Sequence, residues 1–140
     1  MRYYLDTNIL IFLLFDKDLK DNLKRDVLAI LLDYENLFFV SSIAMRELIY
    51  LYNSSYYKTE KYKNVDEIFK AMNAMRIKVE PFTQYHVKTY ASMNFAPNHK
   101  DPNDHMIIAQ SITDKIPLIS SDTEFPFYEN QGLKLVFNKR

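Results

Sequence analysis

Arg2-Tyr3-Tyr4-Leu5-Asp6-Thr7-Asn8-Ile9-Leu10-Ile11-Phe12-Leu13-Leu14-Phe15 opens with a β-prone run, Arg2 to Leu5, and closes with an apolar segment, Ile9 to Phe15. Between them Asp6-Thr7-Asn8 offers side chains that can cap a helix. The stretch therefore reads as strand, turn and helix, with Asp6 at the strand's carboxyl end. The same alternation recurs downstream. Leu23, Val27, Ile30 and Leu31 fall at helical spacing up to about Asp33, and Leu37 to Val40 is a continuous strand-like run. Ser41-Ser42 then caps a helix from near Ile43. Val65 to Met75 predicts a helix, Ile77 to Val79 a strand, and Thr83 to about Met93 a further helix. His99 to Gln110 opens a helix running to about Thr113, followed by strands at Ile116 to Ile119 and Leu133 to Phe137, the last at a sheet edge. Strands alternating with helices in this way imply an α/β fold, a three-layer sandwich around a central, mostly parallel sheet with right-handed crossovers.

The 140 residues, 48% hydrophobic and 26% charged, suit one domain over 1–140 with a proper core. No apolar run approaches the ~20 residues of a membrane helix, and the start of the chain lacks a cleavable-signal pattern, so the expected location is cytoplasmic with no membrane partner. With no cysteine there is no thiolate metal site, disulfide framework or cysteine nucleophile. The lone glycine, Gly132, excludes Gly-rich phosphate loops. Eighteen basic and eighteen acidic residues balance, so binding of nucleic acid would depend on local patches. The 11 Tyr and 10 Phe serve first as core and groove walls.

The acids carry the chemistry. Asp101-Pro102 is a helix start, since Asp accepts from a free amide of the first turn and Pro has no amide to leave unpaired. Asp104 then falls at the third helical position, on the face of Ile107, Ile108 and Ile112, where a carboxylate needs a cation or donor to meet it. Ile43, Glu47 and Leu51 share a helix face, which sets Glu47 among apolar neighbours while Arg46 points elsewhere; a structural ion pair would satisfy that glutamate as well as a site would. In a parallel sheet the strands' carboxyl ends and the following helix starts lie on one rim. Asp6, Glu47, Asp104 and Asp122 are thus predicted to converge there. Two carboxylates ~4 Å apart repel by about 4 kcal/mol in an effective dielectric near 20, so four would hold protons or recruit a cation. Oxygen ligands without cysteine favour Mg2+ or Mn2+, and the implied reaction is phosphodiester hydrolysis by an in-line water that the ion makes more acidic.

Four segments in order, Tyr3-Tyr4-Leu5-Asp6-Thr7-Asn8, Arg46-Glu47-Leu48, Asp101-Pro102-Asn103-Asp104-His105-Met106-Ile107-Ile108-Ala109-Gln110, and Leu118-Ile119-Ser120-Ser121-Asp122-Thr123-Glu124-Phe125, together resemble the PIN-domain nucleases, particularly VapC-like toxins of toxin–antitoxin pairs. The resemblance implies a metal-dependent endoribonuclease that cuts RNA with Mg2+ or Mn2+, forms a homodimer and is silenced by a small antitoxin protein. It implies that Asp6, Glu47, Asp104 and Asp122 bind metal and act in catalysis, that Ser120 supports the site, and that Asn8 helps orient Asp6. Asp101 is an accessory acid in some branches, and Glu124 stands where a further aspartate is often found. The region Tyr50 to Met75 departs from the shorter, glycine-containing pattern of many such toxins.

Between Tyr52 and Asn64, Tyr56, Tyr57 and Tyr62 alternate with Lys58, Lys61 and Lys63. A solvated face is the simplest account of such a run, and an RNA groove that stacks bases and pairs phosphates is the other. His86 reads as an ordinary surface histidine. Two further functions compete with the toxin: a PIN-type RNA-processing nuclease without an antitoxin, and a catalytically silent binding module whose acids pair with lysines. A phosphate-transfer domain with an aspartate nucleophile would want a lysine near the end of a late strand, and Ser120-Ser121-Asp122 offers none.

Overall fold

A computed structural model describes residues 1–16, 22–54 and 61–140. Five strands, β1 (Arg2–Leu5), β2 (Leu37–Ser41), β3 (Ile77–Glu80), β4 (Leu118–Ser120) and β5 (Leu135–Phe137), form one parallel sheet in the order β3-β2-β1-β4-β5. β1 lies at the centre, pairing Tyr3 with Phe38 on one side and Leu5 with Ile119 on the other. The helices are α1 (Thr7–Phe15), α2 (Arg25–Leu32), α3 (Ser42–Asn53), α4 (Val65–Ala74), α5 (Gln84–Ser92) and α6 (Pro102–Asp114). A 3-10 helix, Phe125–Gln131, follows β4.

The period-2 alternation of β1 divides the core. Tyr3 and Leu5 point to the face covered by α1 to α4, with Leu10, Leu14, Val27, Leu48, Ile68 and Met72. Tyr4 points the other way, to Ile107, Ile108, Phe125 and Tyr128 of α6 and the 3-10 helix. α1 is buried over most of its length, as its nearly unbroken apolar sequence requires.

Helix starts are fixed by the expected caps. Asp6 accepts from the Thr7 amide, Ser41 from Ile43 and Asp101 from Asn103, with Pro102 opening α6. The 3-10 helix was not anticipated: its seven residues carry no helical apolar period, and it ends at Gly132 in the left-handed region (φ 105°).

Two expectations about surface residues are corrected. His86 is buried, because its Nδ1 accepts from the Thr83 amide at the start of α5 while its Nε2 meets Asp114 at 2.9 Å. Tyr62 is buried too, its hydroxyl donating to the Leu14 carbonyl at 2.8 Å, so its ring is core and not a base-stacking surface.

Candidate metal centre

The chain leaves β1 for neighbours on one side and later crosses to β4 on the other, so a crevice opens beyond the carboxyl ends of β1 and β4. Asp6 follows β1 directly, and Asp122 lies two residues past β4. Ser120, the last residue of β4, joins them: its hydroxyl donates to Asp6 Oδ2 at 2.7 Å and accepts from the Asp122 amide at 3.0 Å. Asp6 Oδ1 takes the Thr7 amide at 2.8 Å. Asp6 is only 3% exposed, and burial first, then the charge of Asp104 with a smaller part from Asp122, pushes its carboxyl up to about 7 against the pull of its two hydrogen bonds.

Asp104 comes in from the first turn of α6. Its Oδ2 meets His99 Nε2 at 2.9 Å. Burial, followed by the charges of Asp101, Asp122 and Glu47, raises it to about 8. Carboxyls displaced so far, by burial first and by neighbouring negative charge second, sit where their ionised form is poorly compensated. His99, Asp104 and Asp122 each present a potential ligand atom within 4.8 Å of one another.

Glu47 enters from α3, half-buried, and Asn103 Nδ2 donates to its Oε2 at 3.2 Å. The same Asn103 side chain accepts from Arg46 Nη2 at 3.3 Å. Arg46 therefore reaches the neck of α6, whereas helix periodicity alone turned it away. Among the described residues no lysine or arginine forms an ion pair with Asp6, Glu47, Asp104 or Asp122. Carboxylate oxygens that, among the described residues, meet no lysine or arginine in an ion pair fit a hard divalent cation.

The remaining candidates are placed as follows. Asp101 is exposed and spends its carboxylate on the Asn103 amide, 2.9 Å away. Asn8 Oδ1 accepts from the Ser121 amide at 3.4 Å, so this side chain reaches the loop after β4. Glu124 contributes its backbone, its amide donating to Asp122 Oδ1 at 2.8 Å. Lys61 and Lys63 are exposed ahead of α4, and Lys58, with Tyr56 and Tyr57, lies outside the described residues. Sequence reading missed His99. It has no capping role or apolar period, and only its position in the loop five residues ahead of Asp104 hinted that it could fold back onto that carboxylate.

A parallel α/β sheet with clustered carboxylates at its switch point defines the class: an acidic-site domain suited to phosphate chemistry with a divalent cation. The PIN domain model matches residues 3–130, and the chain belongs to the PIN domain family, whose members are nucleases and generally metal-dependent. Solved structures with the same fold include VapBC2 from Rickettsia felis bound to a DNA fragment from their promoter, at 18% identity and TM-score 0.66, covering 99% of this chain and 100% of that one. DNA-bound VapBC from Salmonella typhimurium is similar at 18% identity and TM-score 0.67, with 98% of both chains covered. FitAcB from Neisseria gonorrhoeae is 22% identical at TM-score 0.66, with 97% and 96% covered. No curated protein sequence matches this chain significantly.

Proposed function

We propose that this chain is a Mg2+- or Mn2+-dependent endoribonuclease and the toxin of a toxin–antitoxin pair. The observation that carries the nuclease reading is the meeting of Asp6, Asp104 and Asp122 at the switch point, with Asp6 and Asp104 held far above the ordinary carboxylate range and Glu47 tied in through Asn103. Asp6, Glu47, Asp104 and Asp122 are the residues assigned to the metal and to catalysis. A hard divalent cation held by them would make a water more acidic and offset the charge that builds on the attacked phosphate. Ser120 fixes the Asp6 carboxylate against the Asp122 loop. Glu47 spends Oε2 on Asn103 and keeps Oε1 to orient the attacking water. Asp101 acts as the cap that sets where α6 begins, Asn8 and Glu124 brace the Asp122 loop, and Lys58, Lys61 and Lys63 supply phosphate contacts. Because the acids repel RNA, substrate docks only after the cation has been bound.

The toxin reading is supported by full-length similarity to structures described as VapBC complexes. An antitoxin partner, a homodimeric assembly and a cytoplasmic location belong to the same proposal. Among the described residues no helix is long and apolar enough to cross a membrane.

Titrating Mn2+ into the wild type and Asp6→Asn while following cleavage of single-stranded RNA tests the nuclease. Wild type is expected to cut only with the ion, and the variant not to cut. A wild type that neither binds nor cuts, or a variant that cuts as well, defeats the proposal. Co-expression with the product of a small adjacent gene should abolish cleavage if the chain is a toxin, and unchanged cleavage would leave an RNA-processing nuclease.

A further inference from the structure

His99 is buried at 6% exposure, in a loop rather than on an element that would place it automatically. The loop is held at both ends of the residue. The His99 amide donates to the Ala96 carbonyl at 3.0 Å, and the His99 carbonyl accepts from His105 Nε2, on α6, at 2.8 Å. Its ring is edge-on to His105 and packed against Phe125 and Tyr128. Nδ1 lies 2.8 Å from the Tyr128 hydroxyl, and Nε2 lies 2.9 Å from Asp104 Oδ2.

The donors in this chain of contacts can be ordered. The Ala96 amide can only donate, and it donates to the Tyr128 oxygen at 3.1 Å. The Tyr128 proton then has His99 Nδ1 as its acceptor, which puts the imidazole proton on Nε2, facing Asp104. The opposite tautomer would leave a fully buried hydroxyl proton without an acceptor. We propose that His99 is a positioning residue, not a metal ligand: Tyr128 locks its tautomer, and Nε2–H holds Asp104 Oδ2 so that the other carboxylate oxygen is presented to the cation. This rests on Asp104 serving the metal site proposed above. The arrangement is the outer-partner logic of metal sites, with the histidine holding a ligating carboxylate.

Three measurements on the full chain test this. Long-range proton–nitrogen NMR of the metal-free wild type should show the His99 proton on Nε2, with Nδ1 accepting from Tyr128; a proton on Nδ1 overturns the proposal. In the Mn2+-loaded wild type, electron spin echo spectroscopy should show no directly bonded imidazole nitrogen, and a bonded nitrogen would make His99 a ligand. Mn2+ affinity by calorimetry then separates two variants. His99→Gln carries its amide nitrogen as many bonds from the backbone as Nε2 and should bind Mn2+ nearly as the wild type does. His99→Asn stops at the position of Nδ1 and should weaken binding about 10–100-fold. Equal affinity in His99→Asn, or equal loss in both variants when their circular dichroism matches wild type, overturns the positioning role. Wild type that binds no Mn2+ overturns the metal site itself and this inference with it, whereas binding without discrimination between the variants defeats this inference alone.

Discussion

The acids at the switch point should make the metal-free protein less stable as pH rises, and Asp6→Asn should remove a definable share of that loss. Asp6 is buried, and its carboxyl moves from 3.8 to about 7 on folding. Between those values the folded chain keeps a proton that the unfolded chain has lost. The stability tied to that proton is complete below about pH 3.8 and is lost as pH rises through about 7, at about 1.4 kcal/mol per pH unit. From about pH 5 to 7 that is roughly 3 kcal/mol from Asp6. Asp104, raised to about 8, adds loss of the same sign and extends it upward. His105 works in the opposite direction below about pH 6.5, because burial lowers it and the unfolded chain gains a proton that the folded one resists. Taking the slope difference between wild type and Asp6→Asn cancels that contribution. Urea unfolding in chelator, followed by circular dichroism across this range, should give a shallower decline for the variant. Mn2+ added near pH 8 should restore the wild type by binding its ionised form, and the variant much less. Parallel slopes for the two proteins would refute the claim that Asp6 is held protonated by its surroundings.

Asp104→Asn should abolish Mn2+ binding and cleavage, while Asp101→Asn, which keeps a capping side chain and removes one charge near Asp104, should leave stability nearly unchanged and cost far less activity; reversed effects in a cleavage assay would overturn the division of roles. Ser120→Ala removes the hydroxyl between Asp6 and the Asp122 amide, so Mn2+ affinity should drop about 10–100-fold in calorimetry. Asp114→Ala leaves the Tyr4 hydroxyl and His86 Nε2 without their acceptor at the opposite end of α6, and should lower unfolding free energy by about 1–3 kcal/mol per orphaned group with RNA cleavage per folded molecule unchanged. Replacing Lys58, Lys61 and Lys63 with Ala should weaken RNA binding and flatten its dependence on salt; an unchanged slope would return that segment to a solvated face.

Much of the fold could be read from sequence because β1 and β2 are short, largely apolar runs ended by a residue able to cap the next helix. Asp6, Ser41 and Asp101 do cap as expected. The Asp101 cap also fixes where Asp104 falls and the end of β4 fixes Asp122, which is why the sequence places both on one rim. What escaped was tertiary in origin. Tyr62 sits among lysines in sequence, yet its hydroxyl finds a carbonyl on α1, 48 residues away. His86 looks like a surface residue until α5 and α6 meet and Asp114 supplies its partner. Arg46 was turned away by helix period, but an arginine is long enough to reach Asn103 from an adjacent position.

The unexpected 3-10 helix connects these misses to the site. It begins three residues after Asp122 and buries Tyr128 completely, and Tyr128 faces His99, which faces Asp104. The segment that carries Asp122 away from the sheet therefore also supplies the hydroxyl that sets the donor on Asp104. Glu124, at the head of the same segment, gives its amide to Asp122. Asp104 and Asp122, whose charges repel, are thereby both reached by one continuous stretch, residues 120–128. Tyr128→Phe removes the hydroxyl that bonds the Ala96 amide and His99, so it is expected to weaken Mn2+ binding through the loss of alignment at Asp104. Unaltered Mn2+ affinity in that variant would mean that Asp104 is held in place by α6 without help from the Tyr128 hydroxyl.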